Sequence, residues 1–147
     1  CKMRLGVTSC PTMAIQFSLP IGTLVLCDYT AGGFRPPEMI KRRPAIIVSP
    51  RLPHRDGLCS VIPISTSFSG RVLPYVVELQ LNIELPAPFA ATTVWAKCDM
   101  IATVGFRRLD MFRTERDHSG QRRYLKPRLS GDQLAAVQHG LRHALGL

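Results

Sequence analysis

No stretch of this 147-residue chain comes near the roughly 18–20 uncharged apolar residues that a membrane-spanning helix needs; its longest apolar runs, such as Ala45–Val48, are strand-sized. Cysteine is sparse and oddly numbered. Cys1, Cys10, Cys27, Cys59 and Cys98 contain no CxxC pair, which argues against a zinc finger or a disulfide framework. Cys27, Cys59 and Cys98 sit in apolar, strand-like runs and read as buried thiols in a reducing compartment, so a cytoplasmic protein is expected. Acidic residues are also few: 10 Asp and Glu against 19 Lys and Arg, a net charge of +9. They form no cluster suited to Mg²⁺, and no GxSxG, HExxH or Walker glycine loop is present. Of the four histidines only His139 and His143 are one helical turn apart, and an exposed pair on a terminal helix is not expected to hold a metal. No metal or other cofactor is therefore expected.

What is present is a globular composition, 46% apolar and 20% charged, which excludes a fully disordered chain. Short β-rich runs recur at Thr23–Asp28, Pro44–Val48, Leu58–Thr66 and Tyr75–Leu81. Thr93–Thr103 and Val104–Arg107 give one or two more, and Tyr124–Leu129 a last short one. Pro63 within its run implies an edge or a bulge. Close spacing with Gly/Pro turns predicts a small antiparallel barrel. The carboxyl end changes character. Ser130 and Gln133 form a capping-box pattern, and Leu134, Val137, Leu141 and Leu145 recur at helical spacing, so 131–145 is read as an amphipathic helix laid on the barrel. The fold class is thus mainly β with a C-terminal α-helix. Residues 1–18 are read as a leader or added segment outside the fold, with Met13 as a natural start, and 19–147 as one domain.

The basic balance favours a polyanionic partner: RNA, DNA or an acidic protein tail. Two segments concentrate it. Residues 35–55 and 107–128 each carry a net +5, and the second, polar and turn-rich, reads as an exposed loop. Groups able to do chemistry stand at three strand ends: Arg42-Arg43-Pro44, Ser65-Thr66-Ser67 and Lys97-Cys98-Asp99. Neighbouring strands can bring all three to one rim, although Ser and Thr at strand ends are commonly turn formers.

The ordered stretches IGTLVLCDY, FRPPEMIKRRP, PAIIVSP, CSVIPISTS, PYVVEL and WAKCDMIATVGFRRLD carry a resemblance. In that order and spacing, from residue 21 to about 111, the chain resembles the MazF/PemK toxins of type II toxin–antitoxin modules, including their Kid-like branch. The resemblance implies an SH3-like antiparallel β-barrel with a C-terminal helix, working as a homodimer. It implies a metal-independent endoribonuclease that cuts single-stranded RNA and is blocked by a cognate antitoxin, with promoter DNA bound only in complex with that antitoxin. By position, the RP-motif arginine is Arg43 and the hydroxyl closing the third strand is Ser65; the RCD segment matches Lys97 and Asp99. Lys41, Arg42, Thr66, Ser67, Phe34, Arg107 and Arg108 are the expected RNA contacts, with Trp95 and Phe106 as further stacking candidates.

The resemblance has departures. Ser65 stands where Thr is usual, Lys97 where Arg is usual, and the first loop reads GGFRPPEMIKRRP rather than a GSEQxGxRP form. The RNA sequence that is cut therefore does not carry over. A related toxin class uses the same barrel to bind DNA gyrase without cutting anything, which leaves a non-catalytic binding toxin as the alternative.

Overall fold

The computed structural model describes residues 15–30 and 33–147. The elements run β1 (Leu24–Asp28), β2 (Arg42–Ile47), β3 (Leu58–Ser65), β4 (Val76–Gln80), β5 (Thr93–Lys97), β6 (Ala102–Gly105), β7 (Leu109–Asp110), β8 (Phe112–Arg113), β9 (Tyr124–Leu125) and α1 (Gly131–Leu145). Single 3₁₀ turns join β5 to β6 (Cys98–Met100) and β6 to β7 (Phe106–Arg108). The main sheet is antiparallel in the order β4-β5-β3-β2-β1-β7, with β6 also on β3, while β8 and β9 form a separate hairpin. The path ends on β4 and β7, which do not pair with each other among the described residues, so the expected barrel is open rather than closed.

Strand alternation gives the sheet two buried faces. In β2, Ala45 and Ile47 enter one core while Ile46 enters the other, and β3 divides Val61 from Ile62 and Ile64 in the same way. Helix α1 and the β8–β9 hairpin cover the Ile46 face through Val137 and Phe112; Ile15 and Leu19 help to cover the Ala45 face. Ile15 is 5% exposed, and its N–H donates to the Leu109 carbonyl. The packed domain therefore starts no later than Ile15, earlier than the boundary at 19 expected from the sequence. Residues 1–14, the rest of the expected leader, lie outside the described residues.

Pro63 shapes the middle of the sheet. The Ser60 carbonyl accepts from Val48 on the β2 side, so by alternation Pro63 presents its donorless nitrogen toward β5 and β6. There the neighbouring chain leaves the ladder. β3 pairs Val61 with Ala102 and Ile64 with Ala96, so between these pairs two residues on β3, Ile62 and Pro63, face five on the other chain, 97–101. The surplus is taken up by the 3₁₀ turn Cys98–Met100, which buries Cys98 and leaves Asp99 outside.

Helix α1 begins as its sequence predicts. The Ser130 hydroxyl accepts from the Gln133 N–H, the Gln133 side chain accepts from the Ser130 N–H, and Gly146 closes the far end at φ 71°. Its buried stripe differs from the leucine pattern. Val137 and Gly140 are buried and Ala144 is half-buried, whereas Leu145 is 51% exposed. The cause is a close approach: a Cβ on Gly140 would meet Cys98 Sγ at 2.8 Å and Val77 Cγ2 at 3.0 Å. The helix thereby rests on the bulge itself. Gly140→Ala should cost about 1–3 kcal/mol through overpacking, against a helix-propensity gain of up to ~1 kcal/mol. The expected outcome is a melting midpoint lowered by a few degrees. A midpoint that rises in thermal unfolding would show that the contact yields freely.

Candidate functional site

Arg43 and Ser65 belong to neighbouring strands. β2 and β3 pair Ala45 with Pro63; two residues further along this register Arg43 stands across from Ser65, on the sheet face of Ala45 and Val61. β5 continues the row, with Trp95 opposite Ser65 and Lys97 two residues on along the same face. The dipeptide Arg42-Arg43 is split by alternation, so Arg42 turns to the other face. There it pairs with Asp110 at 3.2 Å. Arg43, expected to be catalytic, and Arg42, expected to contact RNA, thus do not share one surface.

Local bonds fix several of these groups. Arg43 Nε donates to the Ile40 carbonyl at 3.0 Å, which leaves the terminal nitrogens of the guanidinium to act elsewhere. The Ser65 hydroxyl donates to the Ser67 carbonyl and accepts the Ser67 N–H, each at 3.1 Å. It clasps the turn into the 66–69 loop, the role that Ser commonly plays at a strand end. Thr66 and Ser67 are exposed just beyond it.

Asp99 and Met100 form a ridge between two depressions. One, about 200 Å³, brings together Lys97, Asp99, Ser67, Trp95 and Phe68. Neither the Lys97 nor the Asp99 side chain has a hydrogen bond or ion pair to another described residue. Phe68, 49% exposed, lies over Trp95 with centroids 5.5 Å apart and planes 29° from parallel. Phe68 was missed by sequence reasoning; the signal was a lone aromatic in a Ser/Gly loop directly after the strand-end hydroxyls. The other depression, about 370 Å³, is walled by Tyr29, Phe34, Glu38 and Met39 as well as Asp99. Phe34 is no free stacking platform. It meets Tyr29 edge-on at 5.8 Å and carries the Arg108 guanidinium 4.8 Å above its ring. Arg108 in turn donates to the Asp28 carbonyl at 3.0 Å, so this cation braces the first loop.

Of the other expected contacts, Lys41 is exposed at φ 72° and its carbonyl accepts the Tyr29 N–H at 3.0 Å. Arg107 is exposed and Phe106 packs against the second core. His143 lies on the Tyr75 ring at 6.4 Å. Among the described residues no three His, Cys, Asp or Glu side chains gather as a metal site, and no helix is long and apolar enough to cross a membrane.

Tyr29, on the wall of the larger depression, is 1% exposed, and among the described residues its hydroxyl has no partner of hydrogen-bonding geometry, with the Cys27 thiol as its near neighbour. Burial, and then the Cys27 neighbour, push the Tyr29 pKa upward. Burial likewise raises Cys27 to about 12, Cys98 to about 11 and Cys59 to about 11.

An antiparallel sheet with one C-terminal helix and a polar rim built from three strand ends defines a class that the comparisons specify. Residues 21–145 match the family of PemK-like, MazF-like toxins of type II toxin–antitoxin systems, and the chain belongs to that family. It is 29% identical over 126 residues to the Escherichia coli (strain K12) protein YifN, covering 74% of this chain and 83% of that one. Two solved structures share the fold. A mycobacterial endoribonuclease in complex with its cognate antitoxin has a TM-score of 0.56 at 20% identity, over 88% of this chain and 97% of its own. MazF from Deinococcus radiodurans has 0.55 at 24%, over 88% and 97%.

The thiol environment has a measurable outcome. Raised folded-state pKa values mean that the unfolded chain gives up these protons first. This contribution to stability is complete below the ordinary thiol value of 9.0 and is lost as pH rises toward about 12. The denaturant midpoint should fall across that alkaline window. At neutral pH Cys27 and Cys98 should resist a thiol reagent until the protein unfolds; prompt labelling of either in the native protein would contradict the buried assignment.

Proposed function

We propose that the protein is the toxin of a toxin–antitoxin module and acts as a sequence-specific endoribonuclease on single-stranded RNA. The observation that carries this reading is the meeting of a carboxylate, an ammonium and a stacked aromatic pair around Asp99, Lys97 and Trp95, the two charges having no ion-pair partner among the described residues. Arg43 and Ser65 adjoin them on the same sheet face. Membership of the toxin family supports it, as do endoribonucleases among the proteins that share the fold.

RNA brings its own nucleophile, so the protein must move protons and carry charge. Asp99 takes the proton of the 2′-OH as that oxygen bonds to the adjacent phosphorus. The P–O5′ bond breaks, and Lys97 gives its proton to the leaving oxygen. Arg43 holds the non-bridging oxygens while negative charge builds on the pentavalent phosphorus. Ser65 adds a hydrogen bond there, for which it must release the Ser67 carbonyl. The products are a 2′,3′-cyclic phosphate and a 5′-hydroxyl, formed by these side chains without a metal. Phe68 and Trp95 present an aromatic surface on which an unstacked base can lie. The protein works in the cytoplasm as a homodimer, and a cognate antitoxin chain blocks the site.

Purified protein should cut single-stranded RNA in EDTA and leave DNA of the same sequence intact. Arg43→Ala should lower the rate by about 10²–10³-fold, the scale of losing one charge-stabilising group, with an unchanged circular dichroism spectrum. Asp99→Asn should do at least as much damage. Intact RNA at high enzyme across a mixed pool would overturn the reading, and inhibition of gyrase supercoiling in the same preparation would put a non-catalytic toxin in its place.

Ser65→Ala separates the two uses of that hydroxyl. If it only clasps the turn, the rate changes little; if it contacts phosphate, a loss of roughly tenfold or more is expected. Single-turnover cleavage of a synthetic RNA reads the difference.

A further inference from the structure

The arginine-rich segment after β7 is not a bare loop. Its β8–β9 hairpin closes a second cleft, about 590 Å³, on the face of the sheet opposite Arg43. Leu26, Pro88 and Phe89 give it apolar walls over the buried Phe112, and Arg42, Arg113 and Arg122 border it. At its base Asp110, 5% exposed, takes Arg42 from β2 and Arg113 from β8 on the same oxygen, each at 3.2 Å. The second oxygen accepts the Met111 N–H at 2.9 Å. Arg113 is further steadied by the Tyr124 ring, 5.4 Å from its guanidinium carbon. One buried carboxylate thus aims two guanidiniums while cancelling only one of their charges. With Arg122 the cleft carries three cations against one anion. Each guanidinium keeps N–H donors that Asp110 does not use.

We propose that this cleft is a second RNA subsite, which grips the backbone of the single strand flanking the cut with its arginines and receives a base against its apolar wall. It rests on the endoribonuclease reading above. Combined cationic and apolar lining is what single-stranded nucleic acid asks of a groove. Continuity favours RNA over an acidic peptide: Arg42 and Arg43 are consecutive residues of β2. One end of one strand therefore supplies a cation to the cutting face and a cation to this cleft. A strand passing over the lip of the sheet meets both.

The test uses Arg122→Glu, which leaves the Asp110 pairs intact, and Arg113→Gln as a second variant. The probes are a long 2′-O-methyl oligoribonucleotide, which cannot be cut, and a short RNA spanning only the cleavage site. Arg122→Glu should weaken binding of the long probe roughly tenfold and lower the slope of log affinity against log salt by about one. Cleavage of the short RNA should stay as in wild type. Unchanged affinity for the long probe in both variants, with cleavage intact, overturns the subsite and spares the ribonuclease reading. Loss of long-probe binding in a protein that cuts no RNA supports the cleft and removes the cutting role. If the variants bind RNA normally but release an acidic peptide bearing a hydrophobic anchor, the cleft is a protein-docking site and the proposal falls.

Discussion

The missing N–H of Pro63 is the constraint on which the rest of the molecule depends. At Pro63, β3 has no N–H to offer the chain on the β5 and β6 side. β3 changes partners instead, from β6 to β5, and the chain between them bulges into the turn Cys98–Met100. That bulge does two things at once. It drives Cys98 inward, against Gly140 of the helix, and it lifts Asp99 onto the ridge between two depressions. A regular β5–β6 strand would leave Asp99 in the ladder, facing across to β3. The same device therefore anchors α1 and exposes the carboxylate.

Two apolar cores on the two faces of one sheet explain why polar chemistry gathers at strand ends. The apolar side chains from Leu24 to Cys27 on β1 and from Ala45 to Ile47 on β2 are committed to one core or the other, so charge is left to Asp28 at the end of β1 and to the start of β2. Arg42 and Arg43 occupy it, and alternation sends them to opposite faces. The fold tolerates this because each is held where it emerges, Arg43 by the Ile40 carbonyl and Arg42 by Asp110. Burying the Asp110 carboxylate is costly in isolation, and the two arginines and the Met111 N–H offset that cost. The hairpin carrying Arg113 is thus tied to the main sheet by charge as well as by Phe112.

Much of this was legible in the residues. The strands from Leu24 to Gly105 lie within a few residues of their hydrophobic runs, and Ser130, Gln133 and Gly146 mark the helix ends because capping is local chemistry. Pro63 announced an edge or a bulge, and the bulge stands on the chain that faces it. What escaped has a common cause: it depends on contacts distant in sequence. β7 and β8 are two residues each, too short for any periodicity, so the segment from 107 read as loop up to Tyr124–Leu129, the expected last strand, where β9 stands. Asp110 looked like one charge among many until Arg42, 68 positions away, was found beside it. Gly140 counted for nothing in an apolar pattern, yet it permits the closest approach of the helix, while Leu145 fitted the pattern and faces outward. For the candidate site, the three segments were legible and their rows on the sheet followed from register. That Ser65 is engaged with its own turn, and that Phe68 covers Trp95, was not.

This geometry also dictates how losses of activity in this protein must be read. Arg42 and Arg43 are adjacent, alike and equally basic, yet removing them does different things. Arg43 has no carboxylate partner among the described residues, and its substitution frees only the Ile40 carbonyl, which lies beside solvent-facing loop. Arg42 is half of what holds a buried anion. Its loss leaves Asp110 with Arg113 alone, loosens the hairpin against β1 and β2, and reaches the neighbouring residue through the strand they share. A defect in an Arg42 variant therefore reports on folding and on the second cleft before it reports on chemistry. The substitution of Arg42 and Asp110 together, which removes cation and anion at once, is the comparison that separates those contributions.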